Sequence, residues 1–249
     1  MERVVAEHAL TLDQIIVVLH RPRDVRNLGA VVRAMKNLGF ARLRLVAPLP
    51  YDPADLLGIA HRSEAVLAAL EVFADLPAAL ADVRYVVGTS ERPHPDRPLR
   101  ADLRPLAAEV VARTAVGPVA LLFGPEDNGL DSAALDRCHA VLTLPTDPAY
   151  PSLNLAQAAM LVLYEVRMAA AAPPPPAPER VPAPAAEHER FAEVLAATMA
   201  AVGFVKAGNG TTTLRRLRLL VARAEPDSAE LALLTALLRQ VLRRLGHDG

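Results

Sequence analysis

Leu144-Pro-Thr-Asp-Pro-Ala-Tyr-Pro-Ser-Leu-Asn-Leu-Ala-Gln-Ala-Ala-Met160 is the stretch whose reading decides the fold. A short apolar run ends at Leu144, a polar, proline-kinked loop follows, and a long apolar helical pattern begins near Ser152 and Asn154. Ser and Asn suit helix starts because their side-chain oxygens satisfy first-turn N–H groups, and the N–H groups left over can bind a ligand. About twenty residues upstream, Leu121-Leu-Phe-Gly-Pro-Glu-Asp-Asn-Gly-Leu130 is a second apolar run that enters a glycine-bounded acidic loop. Two strand-end loops of this kind in one domain point to a ligand cleft.

Outward from this stretch, short apolar runs alternate with helical patterns. Residues 15–19 are compact and β-branched, and 43–46, 85–87, 119–123 and 141–144 are further apolar strands. Residues 28–38 have helical periodicity with Gly39 as a stop, and helical patterns fall near 54–70, 75–82 and 103–115. Continuous apolar strands separated by helices predict an α/β fold, a parallel sheet covered by helices on both faces. Ligands in such sheets bind at the carboxyl ends of strands, which singles out loops 20–27, 88–98, 124–130 and 145–152. The proline-rich segment 173–184 favours an extended polyproline form and divides a domain at 1–172 from a small all-α extension at 185–249. In that extension, 191–202 reads as a helix stopped by Gly203. Thr213 is placed to cap a second helix with Leu214, Leu217, Leu220 and Val221 as its seam, and Asp227 or Ser228 to cap a third.

With 249 residues and 52% hydrophobic content the chain can bury a real core. A net charge of −1 excludes a global field that would drive it onto nucleic acid or membrane. Residues 185–249 carry nine Lys/Arg against seven Asp/Glu, a local excess of only +2. Lys36 and Lys206 are the only lysines, so the basic groups are almost all arginine, which suits phosphate recognition. Cys138 stands alone, which excludes an internal disulfide or a cysteine metal cluster and reads as a buried spectator thiol. The N-terminus lacks an apolar signal core and no apolar run is long enough to span a bilayer; a soluble, cytoplasmic protein with no membrane partner is expected.

Residues 20–36 read His-Arg-Pro-Arg-Asp-Val-Arg-Asn-Leu-Gly-Ala-Val-Val-Arg-Ala-Met-Lys. Asn27 can cap the helix whose first turns hold Gly29, a residue that permits close approach of another chain segment. Arg21, Arg23, Arg26, Arg33 and Lys36 form a positive cluster at a strand end, for which a phosphate-bearing substrate is the natural partner; a surface ion-pair cluster with Asp24 is the alternative. The histidines show no metal-ligand spacing, so no metal is expected, and the dinucleotide, nucleoside-triphosphate and serine-hydrolase signatures are all missing.

Taken in order, Asn27-Leu-Gly-Ala-Val-Val-Arg33, the loop of Gly124-Pro-Glu-Asp-Asn-Gly129 and Ser152-Leu-Asn-Leu-Ala-Gln157 resemble the three motifs of the SPOUT superfamily, in its SpoU/TrmH branch of RNA ribose 2′-O-methyltransferases. Gly88-Thr-Ser-Glu-Arg92, together with Leu214-Arg-Arg-Leu-Arg218 and Ala224-Glu-Pro-Asp-Ser-Ala-Glu-Leu231, resembles the TrmJ-like subgroup, which methylates tRNA at nucleotide 32. The resemblance implies a catalytic domain closed by a C-terminal trefoil knot, a homodimer with active sites at the subunit interface, and S-adenosyl-L-methionine as cofactor. Thr89, Ser90, Gly124, Glu126, Leu144, Pro145, Ser152 and Leu153 would hold that cofactor. Arg33 would act on the ribose 2′-hydroxyl, with Asn27, Glu126, Ser152 and Asn154 as the other catalytic-site residues. Arg21, Arg23 and Arg26, with Arg215, Arg216 and Arg218 of the extension, would meet RNA. The alternatives are a ribosomal-RNA substrate, a non-catalytic RNA-binding protein, and a flavodoxin-like binding domain for a small anion.

Overall fold

The runs of Val, Ile and Leu form seven parallel strands in a computed structural model that describes residues 12–91, 99–171, 181–204 and 210–246. Most of the proline-rich segment, Arg92 and Lys206 lie outside those residues. Two compact units divide the chain, Met1–Pro178 and Glu179–Gly249.

The first unit runs β1 (Ile15–His20), α1 (Val25–Leu38), β2 (Arg42–Val46), α2 (Pro53–Ile59), α3 (Glu64–Ala68), β3 (Glu71–Phe73), α4 (Leu76–Leu80), β4 (Tyr85–Thr89), β5 (Leu99–Arg100), α5 (Leu103–Arg113), β6 (Val119–Phe123), α6 (Ser132–Leu135), β7 (Ala140–Leu142) and α7 (Leu155–Ala171). Strand order is β3-β2-β1-β6-β4-β7-β5, so winding goes one way from β1 to β3 and then restarts on the other side of β6. The carboxyl ends of β6, β4 and β7 therefore lie side by side past that reversal, where open α/β sheets bind ligands.

Alternate strand residues explain both covered faces. Ile15, Val17, Leu19, Leu121 and Phe123 join the core with Val31, Met35 and Leu163, where α1 and α5 both pack on α7. Ile16, Val18, Val86, Ala120 and Leu122 point the other way and are equally buried. Burial of this kind contributes about 1.5–3 kcal/mol for each large apolar side chain.

Helix boundaries correct several expectations. Asp24, not Asn27, caps α1, accepting from the Arg26 N–H at 2.8 Å, and Gly39 ends it in the left-handed region at φ 80°. Gly29 does allow close approach: a Cβ there would lie 2.5 Å from Ile59 Cγ2. The pattern at 54–70 divides into α2 and α3, and the short strands β3 and β5 were not anticipated. Strand β7 stops at Leu142, two residues before Leu144.

The second unit consists, among the described residues, of α8 (Ala185–Ala201), α9 (Gly210–Ala224) and α10 (Ser228–Arg244). Its core is Ala183, Phe191 and Leu231 with Leu195, Val221 and Leu238 against them. Thr213 lies inside α9 rather than capping it, and Leu220 of the expected seam is exposed. Asp227 caps α10 in a reciprocal capping box with Glu230.

Candidate active site

Three loops at the carboxyl edge enclose a cleft. Its walls come from Thr89, Ser90 and Glu91 after β4, the whole 123–129 loop after β6, and Leu142, Leu144, Pro151, Ser152, Leu153, Leu155 and Ala158 around the entry to α7. The β6 loop is closed on itself: the Gly129 N–H donates to the Pro125 carbonyl at 3.0 Å. A Cβ on Gly124 would lie 2.3 Å from Gly129 C and Leu130 N, so only glycine fits. The loop before α7 is set by its own turns, Thr146 Oγ1 donating to the Pro151 carbonyl at 3.0 Å and the Ala149 N–H to Asp147 Oδ1 at 2.8 Å. The Ser90 N–H donates to the Leu142 carbonyl at 2.9 Å and joins the first loop to the third.

A hydrogen-bonded bridge fastens these loops to α1. Glu126 Oε2 accepts from the Arg23 N–H at 3.0 Å, and Glu126 Oε1 accepts from the Asp24 N–H at 3.2 Å and from Asn27 Nδ2 at 3.1 Å. Asn27 Oδ1 accepts from Asn154 Nδ2 at 2.8 Å. Asn154 Oδ1 in turn caps α7 by accepting from the Ala156 N–H at 2.9 Å, while its own N–H donates to Gln157 Oε1 at 3.3 Å. A carboxylate at the N-terminus of α1 is favoured by the free N–H groups and the helix dipole there. One continuous chain of contacts thus links Glu126, Asn27 and Asn154, which the sequence separates widely.

Of the expected cofactor residues, Thr89, Ser90, Gly124, Glu126, Leu144, Ser152 and Leu153 line the cleft; Pro145 does not. Sequence reading missed Glu91, Phe123, Leu142 and Leu155, although the last three sit at strand and helix ends next to expected residues. Arg33 lies exposed on α1 and is not among the residues lining the cleft of its own chain. Arg21, Arg23 and Arg26 each face a carboxylate: Asp131 at 3.8 Å, Asp127 at 2.7 Å and Asp24 at 2.8 Å. The hydrogen bond from Arg26 holds the Asp24 carboxyl below its ordinary pKa. Exposed pairs of this type are weak. In the helical unit Arg218 is half-buried against Glu189 at 2.7 Å, whereas Arg190, Arg239 and Arg243 line a groove between α8 and α10 that the sequence did not single out.

The cleft chemistry fits a nucleoside-bearing sulfonium. Leu142, Leu144, Leu153 and Leu155 line the cleft with apolar surface that would suit a purine, backbone groups and the Thr89, Ser90 and Ser152 hydroxyls would offer polar contacts, and Glu91 and Glu126 would offer negative charge to a cationic centre. Among the described residues no group of three His, Cys, Asp or Glu side chains gathers as metal ligands, and no helix is long and apolar enough to cross a membrane. Cys138 is buried, its sulfur packed where a Cβ on Gly88 would be, 2.5 Å away.

Comparison with known proteins agrees with this geometry. Residues 14–164 match the SpoU rRNA Methylase family, and residues 186–248 match the tRNA methyltransferase TrmJ, C-terminal domain. The chain is 35% identical over 241 residues to the tRNA (cytidine/uridine-2′-O-)-methyltransferase TrmJ of Klebsiella pneumoniae, covering 92% of this chain and 97% of that one. The protein of the same name from Escherichia coli K12 is 35% identical over 235 residues, covering 92% and 96%. Among solved structures, TrmJ from Z. mobilis ZM4 superposes with a TM-score of 0.79 at 29% identity, over 91% of this chain and 98% of that one. A probable methylase family protein from Haemophilus influenzae gives a TM-score of 0.60 at 30% identity, over 94% and 98%.

Proposed function

Because the chain belongs to the SpoU rRNA methylase family and ends in a TrmJ-type C-terminal domain, we propose that it is an S-adenosyl-L-methionine-dependent tRNA ribose 2′-O-methyltransferase. The target is the cytidine or uridine at anticodon-loop nucleotide 32, the enzyme works as a homodimer in the cytoplasm, and its catalytic segment is threaded as a trefoil knot. The observation that carries the reading is the bridge from Glu126 through Asn27 to Asn154. It ties the three motif segments to the rim of one cleft, in a chain 35% identical to tRNA 2′-O-methyltransferases along nearly its whole length.

When bound, the cofactor supplies an electrophilic methyl group on a positively charged sulfur. The cleft residues Thr89, Gly124 and Ser152 would hold it and exclude water, and Glu126 would add negative charge to the site. The main catalytic requirement is position, since methyl transfer to an oxygen needs the hydroxyl in line with the bond that breaks. The bound cofactor would supply the methyl carbon and keep the electron pair of its carbon–sulfur bond; this chain's part is to hold the ribose 2′-hydroxyl in place while its proton leaves to water or the neighbouring phosphate. Arg33, a planar fork of donors, serves as an electrostatic partner for the developing oxyanion and the adjacent phosphate.

Arg33 is six residues beyond Asn27 on α1, so the two side chains leave the helix about 120° apart and about 9 Å apart along it. We therefore assign Arg33 to the cleft of a second copy. Support for pairing comes from α7, where Met160, Leu161, Tyr164 and Met168 expose an apolar face at helical spacing. Arg21, Arg23 and Arg26, and Arg215, Arg216 and Arg218 with the Arg190–Arg239–Arg243 groove, are assigned to RNA phosphates.

Incubation with isotopically labelled cofactor and unmodified tRNA, followed by nucleoside mass spectrometry, tests this. A 2′-O-methylated pyrimidine at nucleotide 32 is expected. Methylation of ribosomal RNA alone, or cofactor binding without transfer to any RNA, refutes it.

A further inference from the structure

A second cavity of about 530 Å³ adjoins the cofactor cleft and is lined by Tyr51, Pro50, Asp52, Asp55, Asn27 and Glu126, with neighbouring residues of the loop after β1. Glu126 is the one residue that lines both cavities. A group that reaches a ligand of the first cavity past Glu126 leaves the atoms attached to it beside the second. On the function proposed above, the reacting group is a ribose hydroxyl, and the attached parts are a phosphate on either side and a base.

Charge separates these. Among the described residues Arg23 is the only cation lining the groove, and its guanidinium is held by Asp127 at 2.7 Å. Asp24, Asp52, Asp55 and Glu126 are all acids on the same walls. Asp24 and Asp52 are there as helix caps, accepting from the Arg26 and Ala54 N–H groups at 2.8 Å each, so their placement has a structural cause and they mark no site in themselves. Their effect on an occupant remains: inside the groove a phosphate is repelled and a neutral planar ring is not, so the phosphate assigned to the exposed Arg23 lies outside it, at the rim. The size lies within the usual range for small-ligand sites, about 300–1,000 Å³.

The groove also has a rigid aromatic wall. Tyr51 is half-buried and its ring packs against the main core. Burial raises the pKa of its hydroxyl above the ordinary tyrosine value. The loop that carries it is latched to the loop after β1 by the Leu49 N–H to the Pro22 carbonyl, 3.1 Å, and by the Arg21 N–H to the Val46 carbonyl, 2.8 Å. Arg21 and Ala47 take left-handed conformations at φ 54° and 44°, a strain that side-chain-bearing residues hold only where the surroundings fix it.

We propose that this groove receives the base of the nucleotide whose ribose is methylated, with Tyr51 as its stacking wall. The inference rests on the function proposed above. It makes Tyr51 a substrate-binding residue that acts on RNA and not on cofactor. Stacking of one base on an aromatic ring is worth roughly 5- to 150-fold in affinity.

The test is a double-mutant cycle between protein and RNA. Wild type, Tyr51→Phe and Tyr51→Leu are assayed on full-length unmodified tRNA and on the same tRNA with the target base removed and the ribose 2′-hydroxyl kept. Cofactor affinity is measured separately by calorimetry, and folding by thermal unfolding. Tyr51→Phe is expected to match wild type, and Tyr51→Leu, which keeps an apolar side chain but removes the ring, to raise KM on intact tRNA at least 5-fold with cofactor affinity unchanged. On base-free tRNA the Tyr51→Leu penalty should vanish. A penalty that persists on base-free tRNA, a Tyr51→Leu enzyme equal to wild type, or a parallel loss of cofactor affinity overturns the base pocket while leaving the methyltransferase reading intact. No methylation of intact tRNA by the wild type overturns that reading and the pocket with it.

Discussion

Replacing Asn27 with aspartate changes one amide to a carboxylate and should uncouple α1 from the cleft. In the native site the Asn27 amide donates to Glu126 Oε1 at 3.1 Å and its carbonyl accepts from Asn154 Nδ2 at 2.8 Å. Aspartate keeps the acceptor and loses the donor. The lost hydrogen bond ends on a carboxylate, so it is worth about 1.5–3 kcal/mol, with the lower end apt for a half-exposed pair. Two carboxylates at that separation add a repulsion of about 1 kcal/mol in water-like surroundings and about 5 kcal/mol at an effective dielectric constant of about 20. A cost near 3 kcal/mol is expected, and it falls on the loop after β6 and the start of α7, both of which line the cofactor cleft. Cofactor affinity by calorimetry should drop about 100-fold. Asn27→Ala, which removes both contacts without adding charge, forfeits about 1.5 and about 0.5 kcal/mol at the low ends and should lose about 30-fold. Similar affinities for the two variants would show that the bridge carries no electrostatic weight, and affinities equal to wild type would refute the coupling of α1 to the cofactor loops.

Gly124→Ala places a Cβ 2.3 Å from Gly129 C and Leu130 N, so the β6 loop must open and calorimetric cofactor binding should be lost; at Gly129, with open space but φ +65°, alanine should cost only about 1–2 kcal/mol, read as a small fall in thermal midpoint. Mixing Arg33→Ala and Gly124→Ala proteins after partial denaturation should restore up to about one quarter of wild-type methylation, because half of random dimers are mixed and each holds one intact site; no recovery would place Arg33 in its own chain's site. The Asp82 carboxyl is held below its ordinary range by hydrogen bonds from Arg44, 2.6 Å and 3.0 Å long. A depressed folded-state pKa stabilises above the unfolded value near 4 and is lost as pH falls through the folded one, so Asp82→Asn should flatten the acid limb of unfolding below about pH 4. Burial, then Arg21, depress the His20 pKa, so the folded state prefers it neutral; that preference costs nothing above about pH 6.5 and destabilises as pH falls through it. His20→Gln should remove that slope between about pH 5 and 7 in pH-dependent chemical denaturation.

The sheet was legible because its strands are buried on both faces, and a residue buried on both sides leaves no polar alternation to misread. Strand β3, Glu71–Phe73, has its first two residues exposed, and β5 has only two residues; neither carries a pattern that a window of sequence can register. The cap of α1 was misplaced by three residues because Asp24 and Asn27 offer the same side-chain chemistry to a helix start. What decides between them is tertiary: Glu126, arriving from 99 positions away, occupies Asn27, and Asn154 arrives from 127 positions away. The motifs named the residues of the bridge but not its order, since hydrogen-bond partners across such distances follow from strand order, and strand order follows from where the chain restarts after β3. Tyr51 is illegible in the sequence for the same reason. Nothing near it in sequence is reactive, and it matters only because the loop after β2 is latched beside the loop after β1. The sequence makes the individual chemistries readable, whereas the division of labour between the two cavities, with Glu126 as their shared wall, exists only once the sheet has set those two loops side by side.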